Sequence, residues 1–199
     1  MKQRVLITGG KGGIASGIAE FLHGRFELLC PSKEQLDVTK QAKVDEYLNK
    51  IEKLDILINN AGAIHPSTII DSVPEKWIND INVNLIAPYY VSRQALKHKC
   101  KTIINIASTA GYAAYKEWSS YCASKAGLIT LTKCMAAEGI DAYAISPGAT
   151  DTQFRNYFDL PSDNLMSPKV IGEIVLDILN KKYNPGVSVF VRNGTFELR

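Results

Sequence analysis

Tyr121 and Lys125 stand four residues apart, and Ser108 precedes the tyrosine by thirteen. In a helix, positions i and i+4 share a face. An ammonium held there lowers the cost of deprotonating a phenol whose free pKa is ~10, and so turns a weak acid into a general acid–base near neutral pH. Ser108, just past a strand, is placed to hydrogen-bond the same substrate oxygen from the C-terminal edge of a sheet, where ligands of open α/β folds bind. The Tyr-x-x-x-Lys spacing recurs at Tyr112 and Lys116. That pair follows Gly111 in a stretch that reads as a loop, and we take it as a decoy.

Such groups need a scaffold, and the chain alternates strand and helix throughout. Residues 5–8 are a short β-rich run leading through glycines into a helical pattern at Ile14, Ile18, Phe21 and Leu22. Residues 26–30 read as a second strand stopped by Pro31, and 39–53 as a helix with Thr39 as a plausible N-cap. A buried strand over 54–59 is apolar but for Asp55 and the closing Asn59; one long helix is expected from Pro74 to about His98 and another over 118–137. Strands over 102–107, 140–145 and 187–191 and a helix over 168–182 complete the pattern. The alternation predicts α/β architecture: a doubly wound, Rossmann-like parallel sheet with helices on both faces. One domain is expected over 1–199, because no long linker, repeat or low-complexity tract interrupts the chain.

Between the first strand and the first helix runs Thr8-Gly9-Gly10-Lys11-Gly12-Gly13-Ile14-Ala15. Glycines let a turn take positive φ and let a pyrophosphate approach the free N–H groups and the positive dipole end of the helix. Alone, such a run is only a tight turn; after the first strand of an α/β chain it points to a dinucleotide. Ala15 stands where the third glycine of the usual fingerprint falls, a position that serves helix–strand packing and accepts alanine.

Composition narrows the function further. In 199 residues, Lys and Arg number 23 and Asp and Glu 20, a net charge of +3 that is too mild to argue for nucleic acid or an anionic membrane. Hydrophobic residues at 46% and charged residues at 22% are ordinary for a globular chain and exclude intrinsic disorder. No apolar run approaches the ~20 residues of a bilayer span. No secretory leader is expected. The four cysteines and three histidines are scattered, which suits reduced thiols, a cytoplasmic location and no metal.

In their order and spacing, these pieces resemble the short-chain dehydrogenase/reductase family over nearly the whole chain. The matching residues are Thr8-Gly9 through Gly13, Asp37-Val38, Asn59-Asn60-Ala61-Gly62, Asn84, Ser108, Tyr121-x-x-x-Lys125, and Pro147-Gly148 followed by Thr150 and Thr152. The resemblance implies hydride transfer between NADP or NAD and a carbonyl or secondary alcohol, with Tyr121 as acid–base and Ser108 polarising the carbonyl. It implies that Lys125 lowers the tyrosine pKa and holds the nicotinamide ribose, and that Asn84 helps hold a water linking Lys125 to solvent. Gly9, Gly12, Gly13 and Ile14 would meet the pyrophosphate; Asn60, Ala61 and Gly62 would border the cofactor. Asp37 and Val38 would contact the adenine, and Pro147, Gly148, Thr150 and Thr152 would line the nicotinamide side. Plainer readings stand beside these: Asn84 bonding backbone within its helix, Thr152 capping a helix, and Asp37 as the N-cap of the following helix.

The chain also departs from the family. Residues 31–36 are too few for the usual helix and strand, so the sheet is expected in the family order 2-1-4-5-6-7, with the third strand reduced or missing and a shallow adenine pocket. Asn193-Gly194-Thr195 lacks the usual paired glycines, so the family's tail contacts are not carried over. The second strand ends Leu28-Leu29-Cys30-Pro31 without an acid for the ribose 2′-hydroxyl. Ser32, Lys33 and Lys11 would suit a 2′-phosphate and so predict a preference for NADP over NAD, whereas Glu34 is close enough to turn toward the ribose of NAD and Lys33 also reads as a solvated loop lysine.

The alternative function is a nucleotide-binding regulator or scaffold of the same fold without catalysis. A sugar-nucleotide enzyme of the family's extended form would need a larger C-terminal substrate domain than the residues after Pro147 supply. The substrate is expected to be a small molecule, with no nucleic acid or membrane as partner. Residues 153–160, with Phe154, Tyr157 and Phe158, are expected as a lid, and His65, Tyr115 and Trp118 at the opening. The span 118–137 carries only Lys125 and Lys133 as charges, and the helix before it has two apolar stripes. Both predict a homodimer or homotetramer.

Overall fold

The computed structural model describes residues 2–154 and 165–199. One seven-stranded sheet organises them, in the order β2-β1-β3-β4-β5-β6-β7. Its strands are β1 (Arg4–Ile7), β2 (Glu27–Leu29), β3 (Ile56–Asn59), β4 (Thr102–Ile106), β5 (Asp141–Pro147), β6 (Ser188–Arg192) and β7 (Thr195–Leu198). The first six pair in parallel, and β7 runs antiparallel to β6. Helices α1 (Gly13–Leu22), α2 (Gln41–Asn49), α3 (Pro74–Ile81), α4 (Ala87–Lys97), α5 (Ser119–Ala137) and α6 (Lys169–Leu179) connect them. Among the described residues no helix is long and apolar enough to cross a membrane.

The period-2 alternation of strands sorts the core. Val5 and Ile7 face the layer of α1 and α6, while Leu6 faces the layer of α2 and α4. Burying each such side chain contributes roughly 1.5–3 kcal/mol. β3 and β4 are buried along their whole lengths, the mark of inner strands covered on both faces. Polar residues cross this interior in a satisfied chain. Asn59 Nδ2 donates to Asn105 Oδ1 at 2.8 Å and to Ser92 Oγ at 3.0 Å. Asn105 Nδ2 in turn donates to Thr132 Oγ1 at 2.8 Å.

Between β2 and α2 there is no strand. Residues Ser32 to Leu36 form a turn, with Gln35 N and Leu36 N both donating to Ser32 O. Leu36 and Val38 are buried against the layer of α2 and α4. In family labels the parallel strands therefore run 2-1-4-5-6-7, as the short 31–36 segment requires.

Three local expectations need correction. The helix expected over 39–53 is only Gln41–Asn49, and Lys40, not Thr39, precedes its first turn without a side-chain cap. Thr39 turns back instead: its N–H and Oγ1–H both donate to Asp37 Oδ1. The single helix expected from Pro74 to about His98 is interrupted by a π-helical turn, Asn82–Ile86, centred on buried Asn84. Finally, six strands were expected and the sheet has seven. A two-residue Asn193-Gly194 loop, with Gly194 at φ +74°, turns β6 into β7.

Candidate active site

The C-terminal ends of the parallel strands open into two adjoining spaces. The first is a crevice of about 420 Å³ over β1 and β3, and the second a cavity of about 520 Å³ over β4, β5 and the β6–β7 hairpin. Tyr121, Ile14, Ala107, Thr152 and Phe154 line both.

The crevice contains Gly9, Gly12, Gly13, Lys33, Asp37, Val38, Asn60, Ala61, Gly62 and Lys125. Gly9 has φ +64°, and a Cβ there would lie 3.0 Å from Ala61 Cα, so the glycine turn and the Asn60-Ala61-Gly62 turn touch. Thr8 holds the second turn in place, because its Oγ1 accepts from both Asn60 N and Ala61 N. No side chain caps the N-terminus of α1, whose first residues Gly13 and Ile14 line the crevice. Two expected residues, Lys11 and Ser32, are not among the lining. Lys11 is near enough to Cys30 to oppose the rise that burial gives that thiol. Ser32 is engaged by its own turn, with Gln35 Oε1 accepting from its N–H at 2.8 Å.

The cavity contains Ser108, Tyr121, Pro147, Gly148 and Thr150. Tyr121 and Lys125 are both buried on α5. The Lys125 Nζ lies 5.6 Å from the centre of the Tyr121 ring and donates to Ile106 O at 2.8 Å. A side-chain hydrogen bond joins Tyr121 to Ser108, yet burial outweighs it and pushes the phenol up to about 12. Burial also lowers Lys125 to about 8. Burial is the largest influence on both groups.

Asn84 lies behind the crevice. Its Oδ1 accepts from Ala63 N at 2.9 Å, and its Nδ2 donates to Ala63 O and to Ser124 Oγ. Neither plainer role nor spacing foretold this: the π-helical turn projects the amide out of its helix to tie the loop after Gly62 to α5. Nearby, wholly buried Asp80 accepts from His65 N and Ser120 Oγ, and His65 Nδ1 lies 2.6 Å from its other oxygen. This fixes His65 in the crevice wall. Asp80 carries no sequence motif, and Arg192, Asn193 and Thr195 line the cavity from the hairpin, a role their sequence did not suggest. The Asn-Gly pair between two apolar runs was the available signal. Tyr115 and Trp118 line the cavity and His65 the crevice. Of the expected lid, Tyr157 and Phe158 lie outside the described residues.

A family model described as short chain dehydrogenase matches residues 33–161. The chain belongs to the short-chain dehydrogenase/reductase family. Among its relatives, an uncharacterized oxidoreductase of Staphylococcus aureus is 30% identical over 92% of this chain and 93% of its own length. The 3-oxoacyl-(acyl-carrier-protein) reductase FabG of Rickettsia bellii is 34% identical over 73% of this chain and 72% of its own. Among solved structures, ElxO with NADP bound superposes with a TM-score of 0.85 at 28% identity, covering 96% of this chain and 97% of that one. The 3-ketoacyl-(acyl-carrier-protein) reductase of Brucella melitensis complexed with NADH gives a TM-score of 0.84 at 25% identity, with 96% and 97% covered.

Proposed function

We propose that this family member transfers a hydride between a nicotinamide cofactor, NADP or NAD, and the carbon of a small-molecule carbonyl or secondary alcohol, with Tyr121 moving the proton on oxygen. The observation that carries the reading is the juxtaposition of the buried Tyr121 and Ser108 hydroxyls at one cavity with the Lys125 ammonium in the adjoining crevice. The crevice residues fit a dinucleotide. The uncapped N-terminus of α1 supplies N–H donors for a pyrophosphate, and the glycine turn lets it approach. Asp37 and Val38 are at hand for the adenine, and Pro147, Gly148, Thr150 and Thr152 for the nicotinamide side. Relatives solved with NADP and NADH support the same assignment.

When bound, the reduced nicotinamide supplies the hydride, two electrons and one hydrogen nucleus, to the carbonyl carbon. Ser108 and Tyr121 donate hydrogen bonds to the carbonyl oxygen, and these strengthen as negative charge develops there. Tyr121 then gives its proton to that oxygen, completing the alcohol, and recovers a proton from solvent. Burial keeps the phenol protonated at neutral pH, the form from which it can donate to the substrate oxygen. Lys125, held at about 8, is mainly an ammonium at neutral pH and stabilises the tyrosinate that donation leaves. Asn84 positions the loop after Gly62 against α5.

A homo-oligomer of at least two chains belongs to the same proposal. Ile78 is 52% and Tyr89 45% exposed on the outer face of α3 and α4. A dimer would cover such a face, and a monomeric mass by light scattering would overturn this part. A cytoplasmic setting is supported by four unpaired cysteines. The enzymatic reading is tested by following reduced-cofactor oxidation with a panel of aldehydes, diketones and oxo esters. Turnover abolished by Tyr121→Phe is expected; inactivity on the whole panel with both cofactors would overturn the reading.

A further inference from the structure

The cavity beside Ser108 and Tyr121 is walled in part by Tyr115 and Trp118, whose ring centres are 5.0 Å apart. The β6–β7 hairpin supplies another part of the wall, and with it Arg192, the one charged side chain among the described residues lining this space. Arg192 Cβ is 2.6 Å from where a side chain on Gly148 would begin, so the strand carries the arginine over the Pro147-Gly148 turn. The hairpin holds a second guanidinium, Arg199, and the two differ in their company. Arg199 is paired with Glu197 Oε2 at 2.6 Å and lies 3.7 Å from the Phe190 ring centre. Arg192 has the same ring at 5.7 Å and no carboxylate within ion-pair distance among the described residues.

A guanidinium presents a planar fork that matches a carboxylate with two parallel hydrogen bonds. With no carboxylate beside it among the described residues, at the edge of an aromatic cavity, Arg192 favours an anion there. The glycines suited to a pyrophosphate line the crevice and not this cavity, which leaves the substrate as the source of that anion. We propose that Arg192 anchors a carboxylate of the substrate, so that the carbonyl compound turned over here is an oxo acid. This rests on the oxidoreductase reading above. The cavity of about 520 Å³ is shared with the side assigned above to the nicotinamide, and the Tyr115 and Trp118 rings in its wall suit an aromatic oxo acid.

Matched acid and ester pairs test the proposal: 4-carboxybenzaldehyde against methyl 4-formylbenzoate, and benzoylformate against methyl benzoylformate. With NADPH, wild type is expected to prefer the acid of at least one pair. Arg192→Gln should lower kcat/KM for that acid by about 10–100-fold through KM, leave the ester within about threefold, and leave NADPH affinity unchanged. Arg192→Lys should keep part of the preference. Activity on esters with an acid-to-ester ratio that Arg192→Gln does not move would overturn the anchor and spare the oxidoreductase reading. Should no pair turn over, calorimetric titration of 4-carboxybenzaldehyde into NADP-saturated protein decides the anchor separately. Tight binding lost in Arg192→Gln supports it, and equal binding by both proteins sinks it.

Discussion

The two Tyr-x-x-x-Lys pairs are identical in spacing and opposite in environment. Tyr121 and Lys125 share one face of α5 and are both buried, the tyrosine 8% and the lysine 3% exposed. Tyr112 ends a single 3-10 turn, Thr109–Tyr112, and Lys116 is 86% exposed, 3.6 Å from Glu117. The Tyr112 ring packs edge-on to Phe190, with its hydroxyl buried and without a partner. Spacing therefore fixes only whether two side chains can meet. Burial sets the pair on α5 apart, pushing the phenol upward and the ammonium downward.

The largest expected effect separates the tyrosines. Tyr121→Phe should cut kcat by about 10²–10⁴-fold with cofactor affinity preserved, whereas Tyr112→Phe should leave turnover within about twofold. Comparable losses in both variants, by steady-state kinetics and cofactor titration, would erase the distinction between the pairs.

The lysines give the next contrast. A buried ammonium that titrates at about 8 instead of 10.5 binds its proton less tightly in the folded chain than in the unfolded one. Its cost to stability is fully present at pH 7 and fades as pH rises from 8 toward 10.5. Lys125→Met should thus lose activity yet gain on the order of 1–3 kcal/mol of stability at neutral pH, an advantage that shrinks in alkaline buffer. Lys116→Met should change neither. Urea titrations of the variants at pH 7 and pH 10 measure this, and a destabilised Lys125→Met protein would contradict it.

Exposure alone does not make a lysine idle, and Lys33 sharpens the point. It is solvent-exposed like Lys116 but lines the crevice beside Asp37. We expect Lys33→Ala to weaken NADP binding by about tenfold while leaving NAD almost unchanged. Equal losses for both cofactors, or tighter NAD binding by wild type, would remove the preference for NADP. The smallest effect belongs to the Tyr112 hydroxyl. Because it is buried and unsatisfied, Tyr112→Phe should be neutral or stabilising by up to about 1 kcal/mol, and a clear loss in thermal unfolding would mean the hydroxyl is used.

Much of the sheet and crevice was legible because it rests on local rules. Glycines after Ile7, the stop at Pro31 and the apolar run to Asn59 each act within a few residues. The missing third strand was legible from the shortness of 31–36. What escaped depends on contacts distant in sequence. Helical spacing through Leu85 and Val91 is the same for an unbroken helix and for one with a π-helical turn, so the rerouting of Asn84 toward Ala63 left no trace. Pairing of Tyr121 with Lys125 was visible, but the direction of the phenol's shift depends on burial that spacing does not encode. Arg192 was overlooked because Asn193-Gly194 was compared only with the family's glycine pair, although it is itself a hairpin signal.

The Asn59–Asn105–Thr132 chain acts as an index mark for the sheet. Asn59 and Asn105 sit directly opposite each other in the β3–β4 register. Sliding one strand by a single residue would send its amide to the other face and strand both in the interior, each costing about 1–3 kcal/mol. Misaligned sheets are thereby penalised before any cofactor or substrate is present. Asn60 and Ser108 emerge one and three residues beyond the two indexed asparagines. Fidelity of assembly and the placement of the reacting groups thus draw on the same pair of amides.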